Sequence, residues 1–245
     1  MKLLIKGGNG KIGSAYQPPY SWEVKRYGIE AMDITNREMV KRVMKYEKPD
    51  VILHLAGLTQ GSNEDLYRVN VLGTANILEY GKKFANRIVL ASSSAVYPRG
   101  KRVRAVEGIV EPANYYGKTR RLVESLILSS EMRACILRLF NVYGRGFDSL
   151  LDKAMRGEKL TLRKNCYRDY IHIDKVCEAL NLALSGEGVY NVGSGEARAS
   201  VDLADDFDFD YEVEGGDLDY CVADITKFNN WKNALSERGE DFRKI

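Results

Sequence analysis

Histidine is nearly absent from this 245-residue chain, with only His54 and His172, which excludes a metal centre built on clustered imidazoles. Cysteine is sparse as well. Cys135, Cys166, Cys177 and Cys221 show no C-x-x-C spacing, so neither a thiolate metal site nor a disulfide framework is indicated, and reduced structural thiols in a cytoplasmic protein are the expectation. No stretch approaches the ~18 consecutive apolar residues of a membrane span. The opening "MKLLIKGGNG" reaches glycine too early for a secretory apolar segment. Charge of one sign is lacking too: 37 Lys and Arg against 34 Asp and Glu leave a net +3. Neither nucleic acid nor an anionic membrane is then an expected partner. What remains, 44% hydrophobic and 29% charged residues, describes an ordinary globular chain of one large domain or a main domain with a small appendage.

Short apolar runs alternate with helical periodicity over the first two-thirds. "KLLIK", "VILHLA", "RIVLAS" and "ACILRLF" are expected to be buried parallel strands. Between them "TNREMVKRVMKYEKPD" carries apolar residues at Met39, Val40, Val43 and Met44, with Thr35 and Glu38 as a capping box and Pro49 after its end. "NEDLYRVNVLGTANILEYGKKF" and "YYGKTRRLVESLIL" are the next two helices. Strand–helix–strand order repeated in this way predicts an α/β fold, a Rossmann-type doubly wound parallel sheet with right-handed crossovers over residues 1–144. Residues 145–245 are expected to form a small lobe with elements returning to that core. "FDSLLDKAMRGE" and "DKVCEALNLALSGE" are its helices, and "KLTL", "DYIHI" and "GVYNVG" its short strands. The alternation of Phe207, Phe209, Tyr211 and Val213 with acids predicts a strand with one wet face, preferred to a calcium loop because no glycine follows at the sixth position.

"IKGGNGKIGS" places Gly7, Gly10 and Gly13 between a strand and a helix start, with Lys11 and Ile12 inside the turn. Glycines there admit close backbone approach to a pyrophosphate, which the first-turn N–H groups hold. The helix breaks early at Pro18 and Pro19, but anion binding needs only its first turn. The next strand, in "WEVKRY", ends without an acid to take adenosine ribose hydroxyls. Lys25 and Arg26 stand there instead, which leans toward NADP over NAD; simple surface charge is the alternative.

Taken in order, these segments resemble the extended short-chain dehydrogenase/reductases, specifically the NAD-dependent epimerase/dehydratase family acting on nucleotide sugars. "KGGNGKIGS" resembles its glycine turn, with Lys6 where Thr is frequent. The resemblance implies that Asp33 and Ile34 of "MDITN" flank the adenine. It places Leu55, Ala56 and Gly57 of "LHLAG" under the cofactor and Asn70 of "VNVLGTANILE" behind the active site. "ASSSAVYP" resembles the loop with the catalytic hydroxyl, best matched by Ser93, with Ser94 beside the substrate. "NYYGKTRRLVE" resembles the Tyr–Lys helix, except that Tyr116 is followed four residues later by Arg120. Asn141 in "LFNVYG" matches a contact to substrate diphosphate, and Arg168 in "YRDYIH" a segment lining the lower lobe. A bound NAD or NADP, a nucleoside-diphosphate sugar and a homodimer are what the family implies. The chain is shorter than typical members near the first helix and in the lobe.

Taking a hydride from a sugar carbinol requires removing its hydroxyl proton, and a free phenol, with a pKa of about 10, is too weak a base at neutral pH. A cation about 4 Å away contributes of order 4 kcal/mol at an effective dielectric constant near 20. Arg120 keeps that charge but spreads it over a planar fork, so slower turnover is expected. An Arg120 that merely pairs with Glu124, or a site without chemistry, is the alternative. Lys118, two residues from Tyr116, faces elsewhere. Ser94 and Ala95 stand where sugar 4,6-dehydratases carry Asp and Glu, which disfavours water elimination. Three readings stay open: an epimerase, an NADPH-dependent 4-ketoreductase, and a non-catalytic dinucleotide-binding sensor. His54 and His172 are expected to be packed strand residues, and the basic stretch 98–104 a surface loop.

Overall fold

The computed structural model of the chain describes residues 1–237 except Val103, Arg145, Asp148, Ser149 and Phe207, and the side chains of Leu151 and Ala154 are set aside with them. Its strands are β1 (Lys2–Lys6), β2 (Glu23–Tyr27), β3 (Val51–His54), β4 (Arg87–Ser93), β5 (Arg133–Leu139), β6 (Asn141–Tyr143), β7 (Leu160–Arg163), β8 (Cys166–Arg168), β9 (Tyr170–His172), β10 (Gly188–Val192), β11 (Arg198–Ala199), β12 (Tyr211–Glu214) and β13 (Asp219–Cys221). Its helices are α1 (Lys11–Ala15), α2 (Arg37–Glu47), α3 (Asn63–Leu66), α4 (Gly73–Gly81), α5 (Tyr115–Leu128), α6 (Leu150–Met155), α7 (Ile173–Ala183), α8 (Ser200–Asp206) and α9 (Thr226–Glu237).

Six strands form one sheet in the order β10-β5-β4-β3-β1-β2, and every neighbouring pair is parallel. The period-2 alternation of a strand sends successive residues to opposite faces. Leu3, Ile5, Val51, Leu53 and Leu137 join the cluster that includes Val176 and Leu180 of α7. Leu4, Ile52, Ile88 and Ile136 join the one with Val40 and Met44 of α2, Ile77 of α4, and Val123 and Ile127 of α5. A sheet covered on both faces needs the near-continuous apolar strands seen in the sequence. The three smaller sheets, β11-β8-β13, β12-β7 and β6-β9, lie outside this stack. β10, from the last third of the chain, completes the main sheet beside β5.

Four local expectations are corrected. Helix α2 is capped by Asn36, whose side chain accepts from the Met39 N–H, rather than by Thr35. Thr35 instead donates to Asp33 through both its N–H and its hydroxyl, at 2.8 Å each. The long helix expected from residue 63 is interrupted by a π-helical segment, Tyr67–Leu72, and such an insertion re-aims the side chains within it. The alternating tail is a strand only from Tyr211; residues up to Asp206 are helical, and Phe207 lies outside the described residues. His172 closes β9 and caps α7, its Nδ1 accepting from the Asp174 N–H at 3.3 Å, whereas His54 is a packed strand residue with no exposure.

Candidate active site

The glycine turn follows β1 as a tight fold of backbone. Gly7 has φ +90°, a conformation costly for any side chain, and a Cβ there would meet the Ala56 nitrogen at 2.7 Å and the Leu55 carbonyl carbon at 2.8 Å. A Cβ on Gly13 would run into the Gly7 oxygen and into Gly8. The turn is closed by the Gly10 N–H donating to the Gly7 oxygen at 2.9 Å. The resulting bare backbone opens on a cavity of about 640 Å³ lined by Gly7, Gly10–Gly13, Leu55 and Gly57 on one side. Asn141, Cys166, Arg168, Tyr170 and Ser200 face them across it. The expected pyrophosphate turn and the expected substrate residues Asn141 and Arg168 thus share one cavity, large enough for extended ligands. A dinucleotide fits this cradle because at Gly7, Gly10 and Gly13 the backbone carries no side chain to hold off a pyrophosphate.

Arg168 donates to the Asp219 and Tyr167 carbonyls and to the Asp219 carboxylate. Burial raises the Asp219 pKa, but the bond from Arg168, then the charges of Arg168, Arg99 and Arg163, outweigh it and hold that carboxyl below its usual range. Asn141 is anchored to the Asp169 oxygen by its own N–H at 3.0 Å and by its amide at 3.3 Å. Asp169 is fully buried, and its two oxygens accept from Ser194, Gly195 and Ala223. It fixes the β8–β9 corner that presents Arg168.

The two elements that bear Tyr116 and Ser93 pack on each other, although neither residue is among those lining the cavity. Asn114 caps α5 by accepting from the Gly117 N–H at 2.8 Å. A Cβ on Gly117 would collide with the Ala95 oxygen, so the first turn of α5 rests directly on the 3-10 turn Ser94–Val96. Ser93 caps that turn, its hydroxyl accepting from the Ala95 N–H at 3.1 Å. Both Tyr116 and Ser93 remain half-buried, while Ser94 is buried and Lys118 exposed.

Arg120 is 4% exposed. Its guanidinium donates to the Ala91 oxygen on β4, and Nη1 lies 3.1 Å from where a Gly57 Cβ would be, so it lies behind the β3 end that lines the cavity. Among the described residues its buried Nε has no hydrogen-bond partner. The alternative that Arg120 merely pairs with Glu124 is overturned, because the Glu124 carboxylate is held by Arg138. Nε of Arg138 donates to Oε1 at 3.0 Å and Nη2 to Oε2 at 2.7 Å, and the Ser92 hydroxyl adds a bond at 2.6 Å. Arg138 also donates to the Tyr97 hydroxyl at 2.8 Å, so one buried ion pair braces both flanks of the serine turn. Arg138 was hidden inside an apolar strand pattern, and only its opposition to Ser92 across β4 and β5 reveals the contact.

Asn70, on the π-helical segment, is 1% exposed and grips the Leu58 backbone: the Leu58 N–H donates to its Oδ1 at 2.8 Å and its Nδ2 to the Leu58 oxygen at 2.9 Å. It also donates to Thr119 at 3.1 Å, tying the β3 turn to α5. His54 sits beneath, its Nε2 2.9 Å from the Thr74 hydroxyl and its Nδ1 without a partner among the described residues. Burial, then the charges of Arg120 and Lys6, push its pKa down to about 3. Asp33 is half-buried and Ile34 buried. At the basic strand end, Arg26 packs against Gly8 and donates to the Gly13 and Tyr16 carbonyls at 2.7 Å each, closing α1, and Lys25 pairs with Glu23 at 3.4 Å. Tyr27, opposite Lys6, ends β2.

The sequence profile of the NAD dependent epimerase/dehydratase family matches residues 3–193. The chain is 29% identical over 209 residues to GDP-6-deoxy-D-talose 4-dehydrogenase of Aggregatibacter actinomycetemcomitans, covering 76% of this chain and 70% of that protein. Among curated relatives the share of their length spanned runs from 54% to 80%. The structure of Thermus thermophilus UDP-glucose 4-epimerase in complex with NAD superposes with a TM-score of 0.79 at 26% identity, over 94% of this chain and 93% of that one. The fold is shared as well with dTDP-4-dehydrorhamnose reductase from Bacillus anthracis in complex with NADP, at a TM-score of 0.82 and 17% identity, over 96% and 97% of the two chains. The ordered motifs, the parallel sheet and the profile match agree: this chain belongs to the NAD dependent epimerase/dehydratase family.

Proposed function

We propose that the chain is a nucleotide-sugar oxidoreductase of the epimerase type, using a bound NAD or NADP and a nucleoside-diphosphate sugar. The observation that carries this reading is that one cavity joins the glycine turn to Asn141 and Arg168; the packing of the Tyr116 helix on the Ser93 turn supports it. The dinucleotide would lie on Gly7 and Gly10–Gly13 with Gly57 beneath it, where it supplies a reversible hydride acceptor. Tyr116 acts as the base that takes the proton of the reacting sugar hydroxyl. Ser93 donates a hydrogen bond to that same oxygen, polarising it while Tyr116 takes its proton. Arg120, permanently charged and buried behind Gly57, supplies the positive potential that favours the phenolate. Asn141 and Arg168 hold the diphosphate. Ser94 and Ala95 offer no acid–base pair for water elimination, so the reading is not that of a dehydratase.

A second reading, an NADPH-dependent 4-ketoreductase, is favoured by the lack of an acid where β2 ends at Tyr27 and Gly28. Incubation with UDP- and dTDP-hexoses separates the two. An epimerase yields product with no dinucleotide added, and a reductase consumes NADPH stoichiometrically with a keto-sugar. Tyr116→Phe abolishes either activity and Arg120→Lys raises it several-fold; parental behaviour in both variants would leave only dinucleotide binding. Leu122 and Leu126, four apart on α5 at 47% and 36% exposure, with Leu72 at 47%, offer an apolar strip for a homodimer. A cytoplasmic location accords with the free cysteines. Among the described residues no helix is long and apolar enough to cross a membrane.

A further inference from the structure

The end of β1 holds a lysine that no motif explains. Lys6 is 3% exposed, and its Nζ donates to the Gly28 oxygen at 2.8 Å. That carbonyl also accepts the Met32 N–H at 3.1 Å, so a turn following β2 closes around it. Register places Lys6 opposite Tyr27, the last residue of β2, so the ammonium lies under the point where dinucleotide folds carry the ribose-binding carboxylate. Tyr27 bears no charge there and turns its hydroxyl to Glu47 on α2. Gly28 bears no side chain, and the space its Cβ would take is filled by the Asn9 amide, whose Nδ2 lies 2.6 Å from that position. A carboxylate at this point would accept ribose hydroxyls and repel a 2′-phosphate. Here stand a buried cation and a neutral amide donor.

One carboxylate, Asp33, acts on Lys6, and it also accepts from the N–H and hydroxyl of Thr35. His54 is neutral, its pKa lowered by burial first and then by the charges of Arg120 and Lys6. Burial lowers the Lys6 pKa to about 8, with Asp33 opposing, so the side chain stays charged at neutral pH. Two buried cations, Lys6 and Arg120, therefore flank the strand ends on which a dinucleotide would lie.

We propose that Lys6, with Asn9 over Gly28, recognises the 2′-phosphate of NADP(H) and makes this site select the phosphorylated dinucleotide. A lysine is a compact point charge suited to a phosphate reached from one side. The inference rests on the dinucleotide reading above and assigns to Lys6 the preference that the sequence attributed to Lys25 and Arg26.

The test is calorimetric titration of the full chain with NADP+ and NAD+, and with the fragments 2′,5′-ADP and 5′-AMP, for the parent, Lys6→Met and Lys6→Arg. One charge-assisted bond predicts at least about a tenfold preference for each phosphorylated ligand in the parent. Lys6→Met should erase it while leaving NAD+ affinity within about threefold, and Lys6→Arg should keep most of it. Equal binding of NADP+ and NAD+ by the parent, or a preference for NAD+, overturns the proposal and leaves the dinucleotide reading intact. If neither dinucleotide binds, both fall. A Lys6→Met variant that tightens both ligands alike would show that the lysine merely fills the pocket. Should Lys6→Met fail to fold, the parent's 2′,5′-ADP to 5′-AMP ratio decides alone.

Discussion

His54 offers the sharpest physical check on the buried cations. It is wholly buried, its Nε2 is engaged by Thr74, and burial followed by the charges of Arg120 and Lys6 lowers its pKa from 6.5 to about 3. Between those values the unfolded chain takes up a proton that the folded chain refuses. Stability is therefore greatest above pH 6.5, falls as the pH drops through the window, and reaches its full loss below pH 3. At about 1.4 kcal/mol per pH unit, acidification from pH 6.5 to 4.5 costs roughly 2–3 kcal/mol through this one ring. Urea denaturation of the parent and of His54→Gln, which keeps a polar partner for Thr74, should differ by that amount between pH 7 and 4.5, with the parent losing more. The chain has two histidines, so the imidazole NMR spectrum follows each ring separately. Arg120→Met should raise the His54 pKa. A ring titrating near 6.5, or one indifferent to Arg120→Met, would refute the placement of the guanidinium behind Gly57.

Other expected outcomes follow from single contacts. Glu124→Ala strands the buried Arg138 charge and should cost about 3–5 kcal/mol in denaturant titrations, part of which Glu124→Leu with Arg138→Met restores; no recovery in the double variant would mean the ion pair is not the source. Gly13→Ala forces a methyl against the Gly7 oxygen and should abolish dinucleotide binding by calorimetry, and parental affinity would show the turn is looser than described. Gly117→Ala pushes α5 off the Ala95 oxygen. It should lower kcat more than it lowers Tm, because it separates Tyr116 from the serine turn.

Periodicity carries information where burial is uniform, and this decides what was legible in the sequence. The central strands read as apolar runs because both sheet faces are covered, and the helix expected over "YYGKTRRLVESLIL" is α5, Tyr115–Leu128. The same reasoning misplaced the tail, since Phe209 and Tyr211 pack with Leu160, Leu162 and Ala204 in a small cluster whose strand partners lie far upstream in the chain. Alternation with acids carried no sign of the α8 helix before it. The cap of α2 moved by one residue because Asn36 and Thr35 both suit the position and Asp33 competes for Thr35. The site residues found by motif are those of the glycine turn and the Ser and Tyr elements, where local backbone geometry limits the residue type. Tyr170 reaches the cavity from β9, two residues from Arg168 in "YRDYIH", whereas Cys166 and Ser200 reach it from β8 and α8 with no local pattern to mark them.

The basic strand end shows the same limit in electrostatic terms. Sequence places Lys25 and Arg26 near the cofactor, but a strand alternates its faces, and a charge is useful only where its side chain points. Arg26 turns to the carbonyls at the end of α1, a helix cut short by Pro18 and Pro19 whose last oxygens need donors. The truncation of α1 thus consumes the cation that sequence assigned to the cofactor. Lys6, read as a departure from a common Thr, ends the inner strand β1 with its Nζ bonded to the Gly28 oxygen of the turn after β2, and the proposal above gives it the cofactor role instead. Restoring Lys6→Thr alone, with Arg26 still bound to α1, should leave the adenosine ribose with neither a cation nor an acid, and both dinucleotides should then bind with nearly equal affinity.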